Sequence, residues 1–218
     1  YARPGQSDAQ WREELKQALA FGTDHLSLYQ LTIEPETPFA LLHKNGQLRI
    51  PDDDLAAGLY ETTQELTEAA GRPAYETSNH ARPGSESRHN LIYWRYGDYA
   101  GVGPGAHGRL MLDGKRIATS TIRLPERWRD TVTSGSKAFA DFTMIGDTDA
   151  AREHLLMNLR LREGIDLGAY EARWGHRPAS KKIERLIEQE MLRQDGEILS
   201  ATPQGRLVLN AVISALLN

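Results

Sequence analysis

The residues best suited to chemistry lie between positions 88 and 99, where one histidine stands close to several aromatic side chains. His89 is followed at four and five positions by Tyr93 and Trp94. An imidazole nitrogen can act as an axial iron ligand, and aromatic rings beside it can stack on a porphyrin. The same pattern also suits a hydrogen-bonded structural histidine among core rings. The spacing alone leaves both interpretations open.

A glycine-rich segment follows at residues 101–108 and contains the spacing GxGxxG. In dinucleotide-binding folds this spacing cradles phosphates, but it needs a strand before it and a helix after it. Here Pro104 lies inside the motif and a turn-rich hairpin is predicted to follow. We therefore interpret the glycines as positions where the backbone approaches a ligand closely.

Polar side chains also mark the end of a predicted strand, at Tyr29, Gln30 and Thr32. In α/β barrels the functional groups stand at the carboxyl ends of parallel strands. An alternative is that these residues simply form the polar face of an alternating strand.

Other polar residues carry no assigned chemistry. Glu34 and Glu36 flank a proline in a predicted turn, where glutamates are usually solvated. The chain has no cysteine, which excludes disulfides, thiolate zinc sites and cysteine-ligated clusters within it. Four isolated histidines lack metal-ligand spacing and are expected to be surface or structural residues: His43, His80, His154 and His176.

The composition excludes some broad classes of function. With 26 basic and 30 acidic residues the formal net charge is −4, so no global field favours nucleic acid or an anionic membrane. The sequence shows neither an apolar run that could span a bilayer nor the order of charges and apolar residues typical of a signal peptide. We expect a cytoplasmic protein.

The elements that must position these residues begin with two βα-like repeats. A helix from Asp8 to Phe21, a strand over 25–33, a helix following Asp52 and a strand over 74–79 are predicted, with a loop over 37–52. This order favours parallel strands in a part-barrel or an open α/β sheet. Residues 82–108 show no clean period and are expected to be loop-rich.

The remainder predicts a hairpin over 110–122 around Asp113-Gly114, then a helix over 125–134. Helices over 149–161, 167–174 and 180–194, a wing strand over 196–200 and a final helix over 202–217 suggest a winged-helix-like unit. We expect two domains, residues 1–145 and 146–218. The third helix of the second domain mixes basic and acidic residues, which favours packing or partner docking over nucleic-acid binding.

Four motifs, taken in order, resemble one known family. They are YQLTIEP at 29–35, YETSN at 75–79 with ARPG at 81–84, HNLIYW at 89–94 and GPGAHG at 103–108. The resemblance covers essentially the whole chain and is to the C-terminal portion of HemW-like radical-SAM proteins, the heme chaperone and oxygen-independent coproporphyrinogen-III-oxidase-like group. It implies an α/β fold, the last part of a partial (βα)6 barrel followed by a small, mostly helical winged-helix-like HemN C-terminal domain.

The resemblance also implies ligands. Intact family members bind a [4Fe–4S] cluster through CxxxCxxC, together with S-adenosyl-L-methionine, in an N-terminal half that this chain lacks. Tyr29 and Thr32 match positions lining the S-adenosylmethionine pocket, and His107 one near a second such molecule. The resemblance also implies that the family's HNxxYW motif binds heme. Four residues match it: His89, Asn90, Tyr93 and Trp94. His89 is then the candidate ligand of the heme iron.

The implied function is binding of heme and its delivery to a client hemoprotein such as a respiratory cytochrome. One alternative is an oxygen-independent coproporphyrinogen III oxidase-like enzyme. Another is a non-catalytic interaction module, since a chain without cysteine cannot hold the cluster and is expected to be inactive alone in radical chemistry.

Overall fold

The computed structural model describes residues 1–217, which form two compact units. The first covers Tyr1–Ser87 and the second begins at Arg88. The predicted boundary after residue 145 stays a prediction. No helix in the described range is both long enough and apolar enough to cross a membrane.

The first unit is built on two packed helices. Its elements are α1 (Asp8–Ala20), β1 (His25–Ser27), α2 (Pro38–Lys44), α3 (Asp53–Ala69) and β2 (Asn79–Ala81). Ser7 caps α1 in a capping box with Gln10, and Asp52 caps α3, so both predicted helices are confirmed. The buried indole of Trp11 donates to Thr63 Oγ1 at 2.8 Å, which fixes α1 on α3.

The expected parallel pairing of the two strands of this unit is wrong. β1 and β2 run antiparallel, with Ser27 opposite Asn79. The predicted strand over 74–79 reverses direction because the carboxylate of Glu76 accepts hydrogen bonds from the Ser78 backbone N–H at 3.2 Å and from the Asn79 side chain. Such side-chain bonds to nearby groups compete with the regular ladder of a strand. α2 likewise occupies part of the predicted loop.

One parallel-type contact does exist in this unit. The amino group of Tyr1 donates to the Tyr29 carbonyl at 2.7 Å, and the Leu31 N–H donates to the Tyr1 carbonyl at 2.9 Å. This staggered pair is the hydrogen-bond pattern of neighbouring parallel strands. Tyr29 and Leu31 therefore pair with Tyr1 although the regular strand ends at Ser27.

The second unit contains two small sheets and most of the helices. Its elements are α4 (Arg88–Trp94), β3 (His107–Leu112), β4 (Lys115–Thr121), α5 (Pro125–Thr133), β5 (Phe139–Ile145), α6 (Asp147–Asn158), β6 (Ile165–Asp166), α7 (Leu167–Trp174), α8 (Ser180–Glu188), β7 (Leu192–Asp195), β8 (Ile198–Ala201), α9 (Pro203–Leu207) and α10 (Leu209–Leu217).

The first sheet has the order β3-β4-β5, all antiparallel. The predicted hairpin is confirmed: Asp113 and Gly114 both adopt positive φ, 49° and 75°, as a two-residue hairpin turn with matching twist requires. β5 was not predicted. It lies at the edge of the sheet, and Phe139, Phe142 and Met144 on it are all about half exposed, at 45%, 54% and 57%.

The second sheet has the order β6-β8-β7 and lies among α6, α7, α8 and α10, whose apolar side chains form the largest buried core. The predicted helix over 180–194 ends at Glu188, because Glu190 takes the left-handed conformation and β7 follows. The predicted final helix is divided at Val208 into α9 and α10. The architecture is mixed α/β, and the winged-helix description stays a prediction.

Candidate functional site

The helix α4 brings together two members of the HNxxYW motif. His89 and Tyr93 are four residues apart and so share one face of the helix. His89 Nε2 and the Tyr93 hydroxyl oxygen are 2.7 Å apart, a hydrogen bond, and the two rings meet edge to face with centroids 4.6 Å apart. His89 is exposed and Tyr93 is half-buried.

A third ring supports this pair from a residue that is bridged to the strand β3. Tyr93 packs edge to face on Tyr99, with centroids 4.3 Å apart. Tyr99 exchanges both backbone hydrogen bonds with Arg109 on β3, at 2.8 and 2.9 Å. Burial raises the pKa of the Tyr99 phenol, which stays neutral. We call His89, Tyr93 and Tyr99 the His89 cluster.

The other two residues of the motif lie on a different face of α4. Asn90 and Trp94 are also four residues apart, and both are half-buried. The Trp94 carbonyl accepts a hydrogen bond of 2.7 Å from Asn158 Nδ2 on α6. The motif is thus divided between one face of α4, which carries His89 and Tyr93, and another, which carries Asn90 and Trp94.

The end of α4 is held by Tyr96, which is 4% exposed. Tyr96 adopts φ 57°, and the N–H groups of Tyr96 and Gly97 bond back to the carbonyls of Tyr93 and Ile92 at 3.0 and 2.8 Å. This is a Schellman-type helix end, normally made by glycine. Burial and the nearby Glu153 carboxylate, whose Oε2 accepts the Tyr96 hydroxyl hydrogen bond at 3.0 Å, raise the pKa of this phenol.

Arg116 on β4 lies over the same ring. Its guanidinium carbon is 4.3 Å from the Tyr96 ring centroid, and its side chain is 2% exposed. It donates to the Gly97 carbonyl at 2.8 Å and forms an ion pair with Asp98. The planar guanidinium therefore joins the sheet to the end of α4 through stacking, a carbonyl and a carboxylate at once.

The glycine-rich segment contradicts part of the sequence interpretation. A Cβ on Gly101 would lie 2.4 Å from the His107 carbonyl oxygen, and one on Gly108 would lie 2.5 Å from Thr119 Oγ1. At these two positions the close approach is to the chain's own strands, not to a ligand. The segment leads into the strand β3, so the helix needed for a dinucleotide site does not follow.

The predicted S-adenosylmethionine residues fall in both units. Tyr29, 67% exposed, and Thr32, also exposed, belong to the first unit, where the Thr32 hydroxyl donates to Glu34 at 3.4 Å. His107 belongs to the second unit and is exposed on β3 opposite Ser120. Their roles stay predictions. In residues 1–217 no group of three or more His, Cys, Asp or Glu is arranged to hold a metal ion.

Comparison with known proteins gives this geometry a family context. Residues 146–208 match the family model of the HemN C-terminal domain. Over 217 residues the chain is 35% identical to heme chaperone HemW of Mycobacterium tuberculosis strain H37Rv, covering 100% of this chain and 53% of that protein. The corresponding values for Escherichia coli K12 heme chaperone HemW are 33% identity over 98% of this chain and 55% of that protein. The chain is HemW-like.

A relative outside bacteria shows the same extent of similarity. Mouse radical S-adenosyl methionine domain-containing protein 1, mitochondrial, is 35% identical over 98% of this chain and 51% of its own length. The HemW-like chain thus spans about half the length of the curated relatives it matches, and it resembles their C-terminal portion.

A solved structure shares the fold of the HemW-like chain. It is the coproporphyrinogen III oxidase HemN of Escherichia coli, described as a radical SAM enzyme. The TM-score is 0.74 with 15% sequence identity, covering 99% of this chain and 53% of that one. At this identity the likeness concerns the fold alone.

Two histidines of the HemW-like chain are buried. Their positions in the sequence did not predict this burial. His80 is 1% exposed, and burial, with a contribution from His25, lowers its pKa to about 4. His154 is 9% exposed, accepts a hydrogen bond of 2.9 Å from the Trp174 indole, and has its pKa lowered to about 4, chiefly by burial. Both are structural, whereas His43 and His176 are exposed.

Proposed function

We propose that this HemW-like chain is the heme-handling portion of a heme chaperone, and that heme binds on α4 at the His89 cluster. The observation that supports this most is the exposed His89 imidazole beside the fixed ring of Tyr93. The relatives that share 33 to 35% identity with nearly the whole chain include several named heme chaperones.

The chemistry of the His89 cluster suits heme that must be bound and later released. A neutral imidazole is a competent axial ligand for heme iron, and Tyr93 and Tyr99 offer ring edges to a porphyrin. Because His89 is exposed, a porphyrin bound there would keep one face open to a client hemoprotein, for which we propose an acceptor such as a respiratory cytochrome.

The remaining ligands are proposed for the whole protein. Tyr29 and Thr32 would contact S-adenosyl-L-methionine, and His107 would lie near a second molecule of it. A [4Fe–4S] cluster would take its thiolate ligands from outside these 218 residues, which contain no cysteine.

Titration of the chain with heme, followed by absorbance, tests the proposal. Saturable binding of one heme per chain is expected, weakened at least about tenfold in His89→Ala because a coordinate bond is lost. His176→Ala is the matched control, since His176 is an exposed histidine of the same unit that lies outside α4. Equal affinities of wild type and His89→Ala would overturn the proposed site.

The oxidase interpretation is tested in parallel. Its support is the fold shared with HemN, at 15% identity. Conversion of coproporphyrinogen III by the chain joined to a cluster-bearing N-terminal half of a relative, without stoichiometric heme binding, would favour it over the chaperone.

A further inference from the structure

We propose that the Tyr93 hydroxyl competes with heme iron for Nε2 of His89, so that the structure shows a closed form of the cluster. The inference rests on the proposed heme function and assigns Tyr93 a role of its own within it. Tyr93 then sets how tightly heme is held, in addition to offering its ring to the porphyrin.

The competition follows from the lone pairs of imidazole. A neutral imidazole has one nitrogen that carries a proton and one that carries a free lone pair, and iron binds the latter. The distance of 2.7 Å places the Tyr93 hydroxyl directly on Nε2. When that hydroxyl donates its hydrogen, the lone pair that iron needs is already in use.

Nδ1 is a poor substitute for Nε2 at this position. It is the ring nitrogen nearer to Cβ, and a helical Cβ is tilted back toward the preceding turn. A porphyrin centred on Nδ1 would therefore meet the backbone at the start of α4, whose first residue is Arg88. Nε2 projects farther from the helix and can reach the centre of a flat macrocycle.

The two partners differ in their freedom to move. Tyr93 is half-buried and its ring is packed on Tyr99, which is itself bonded to Arg109 through both backbone groups. His89 is exposed, in the first turn of α4. Breaking the hydrogen bond between His89 and Tyr93 therefore requires only a side-chain rotation of His89, while the Tyr93 ring stays in place.

The expected cost of opening is that of one ordinary hydrogen bond. Such a bond contributes about 0.5–1.5 kcal/mol net, so removing the Tyr93 hydroxyl should tighten heme binding roughly two- to tenfold. A moderate penalty of this size lowers the affinity without abolishing binding, and it restores the closed form when heme leaves.

Two measurements on the full chain test the competition. Heme titration compares wild type, Tyr93→Phe and His89→Ala, and Tyr75→Phe is the matched control. Tyr75 is a second tyrosine whose hydroxyl lies 2.9 Å from a histidine Nε2, that of His25, in the first unit. Without heme, the side-chain 15N resonances of His89 report the hydrogen bond directly.

The result expected is tighter, His89-dependent binding in Tyr93→Phe, unchanged binding in Tyr75→Phe, and a shifted Nε2 resonance of His89 in Tyr93→Phe. Unchanged or weaker binding in Tyr93→Phe, with binding still lost in His89→Ala, overturns the competition and leaves the heme site standing. Absence of His89-dependent binding in both wild type and Tyr93→Phe removes the proposed site and the competition together. An unshifted Nε2 resonance shows that the bond does not exist in solution, and also overturns the competition.

Discussion

Tyr96 stacks on His154 with ring centroids 5.1 Å apart and planes inclined by 16°. The first residue ends α4 and the second lies in the middle of α6. Their contact continues to Trp174, whose indole donates to His154 Nδ1. The helix that carries the His89 cluster is therefore fixed through its last turn to the helical core of the second unit.

Replacing Tyr96 by alanine should destabilise the second unit strongly. The change empties a fully enclosed aromatic position and removes the hydrogen bond to Glu153, for an expected loss of about 3–5 kcal/mol. Urea unfolding followed by circular dichroism measures it. Tyr29→Ala is the control, because Tyr29 is 67% exposed and should change the unfolding free energy by about 0.5 kcal/mol or less.

Replacing Arg116 should destabilise the chain even when the new side chain is apolar and of similar length. In Arg116→Met the Gly97 carbonyl and Asp98 lose their buried partner, and we expect a loss of about 3 kcal/mol. Arg129→Met provides the comparison, since the Arg129–Asp130 pair is 65% and 66% exposed and should contribute little. Similar urea midpoints for the two variants would contradict the structural role of Arg116.

The two buried histidines predict sensitivity to mild acid. Both have a folded-state pKa of about 4, below the unfolded value of 6.5, so the unfolded chain binds more protons between these pH values. The stability contributed by these two neutral histidines is thus fully present above pH 6.5. It is lost as the pH drops toward 4, by at most about 3 kcal/mol for each histidine. Unfolding free energies measured at intervals across this window should show the decline, and His154→Asn should reduce its slope. A flat profile would mean that neither histidine is buried in its neutral form.

Two glycines should respond to alanine in opposite directions. Gly101→Ala brings a methyl group to 2.4 Å from the His107 carbonyl, a backbone atom that cannot rotate away, and should cost about 2 kcal/mol or more. Gly58→Ala lies within α3 with nothing within 4 Å of the new Cβ, and should stabilise the first unit by about 0.5–1 kcal/mol. Thermal unfolding of both variants tests whether Gly101→Ala lowers the stability and Gly58→Ala raises it.

What the sequence could predict depended on local signals. Ser7 and Asp52 predict the starts of their helices because their side chains can cap the first backbone N–H groups. Asp113-Gly114 predicts its hairpin because both central residues of such a turn must adopt positive φ. In each case the residues that decide the element are neighbours in sequence.

Elements that depend on distant contacts were missed. α4 has no buried residue of its own, so no apolar stripe reveals it, and it is held instead by Arg116 and Asn158 from other parts of the chain. The reversal at Glu76 depends on a carboxylate turned back on Ser78 and Asn79, which residue spacing does not show. Within the site, the pairing of His89 with Tyr93 follows from helical spacing only once α4 is known to be a helix.

The strand β5 has a consequence for the behaviour of the chain in concentrated solution. Its outer backbone groups are unpaired within the sheet, and Phe139, Phe142 and Met144 stand beside them about half exposed. An edge of this kind can template the addition of further strands, the first step of amyloid-like growth. A charged residue in place of Phe142, whose side chain is 54% exposed, would interrupt that templating without removing a buried core residue.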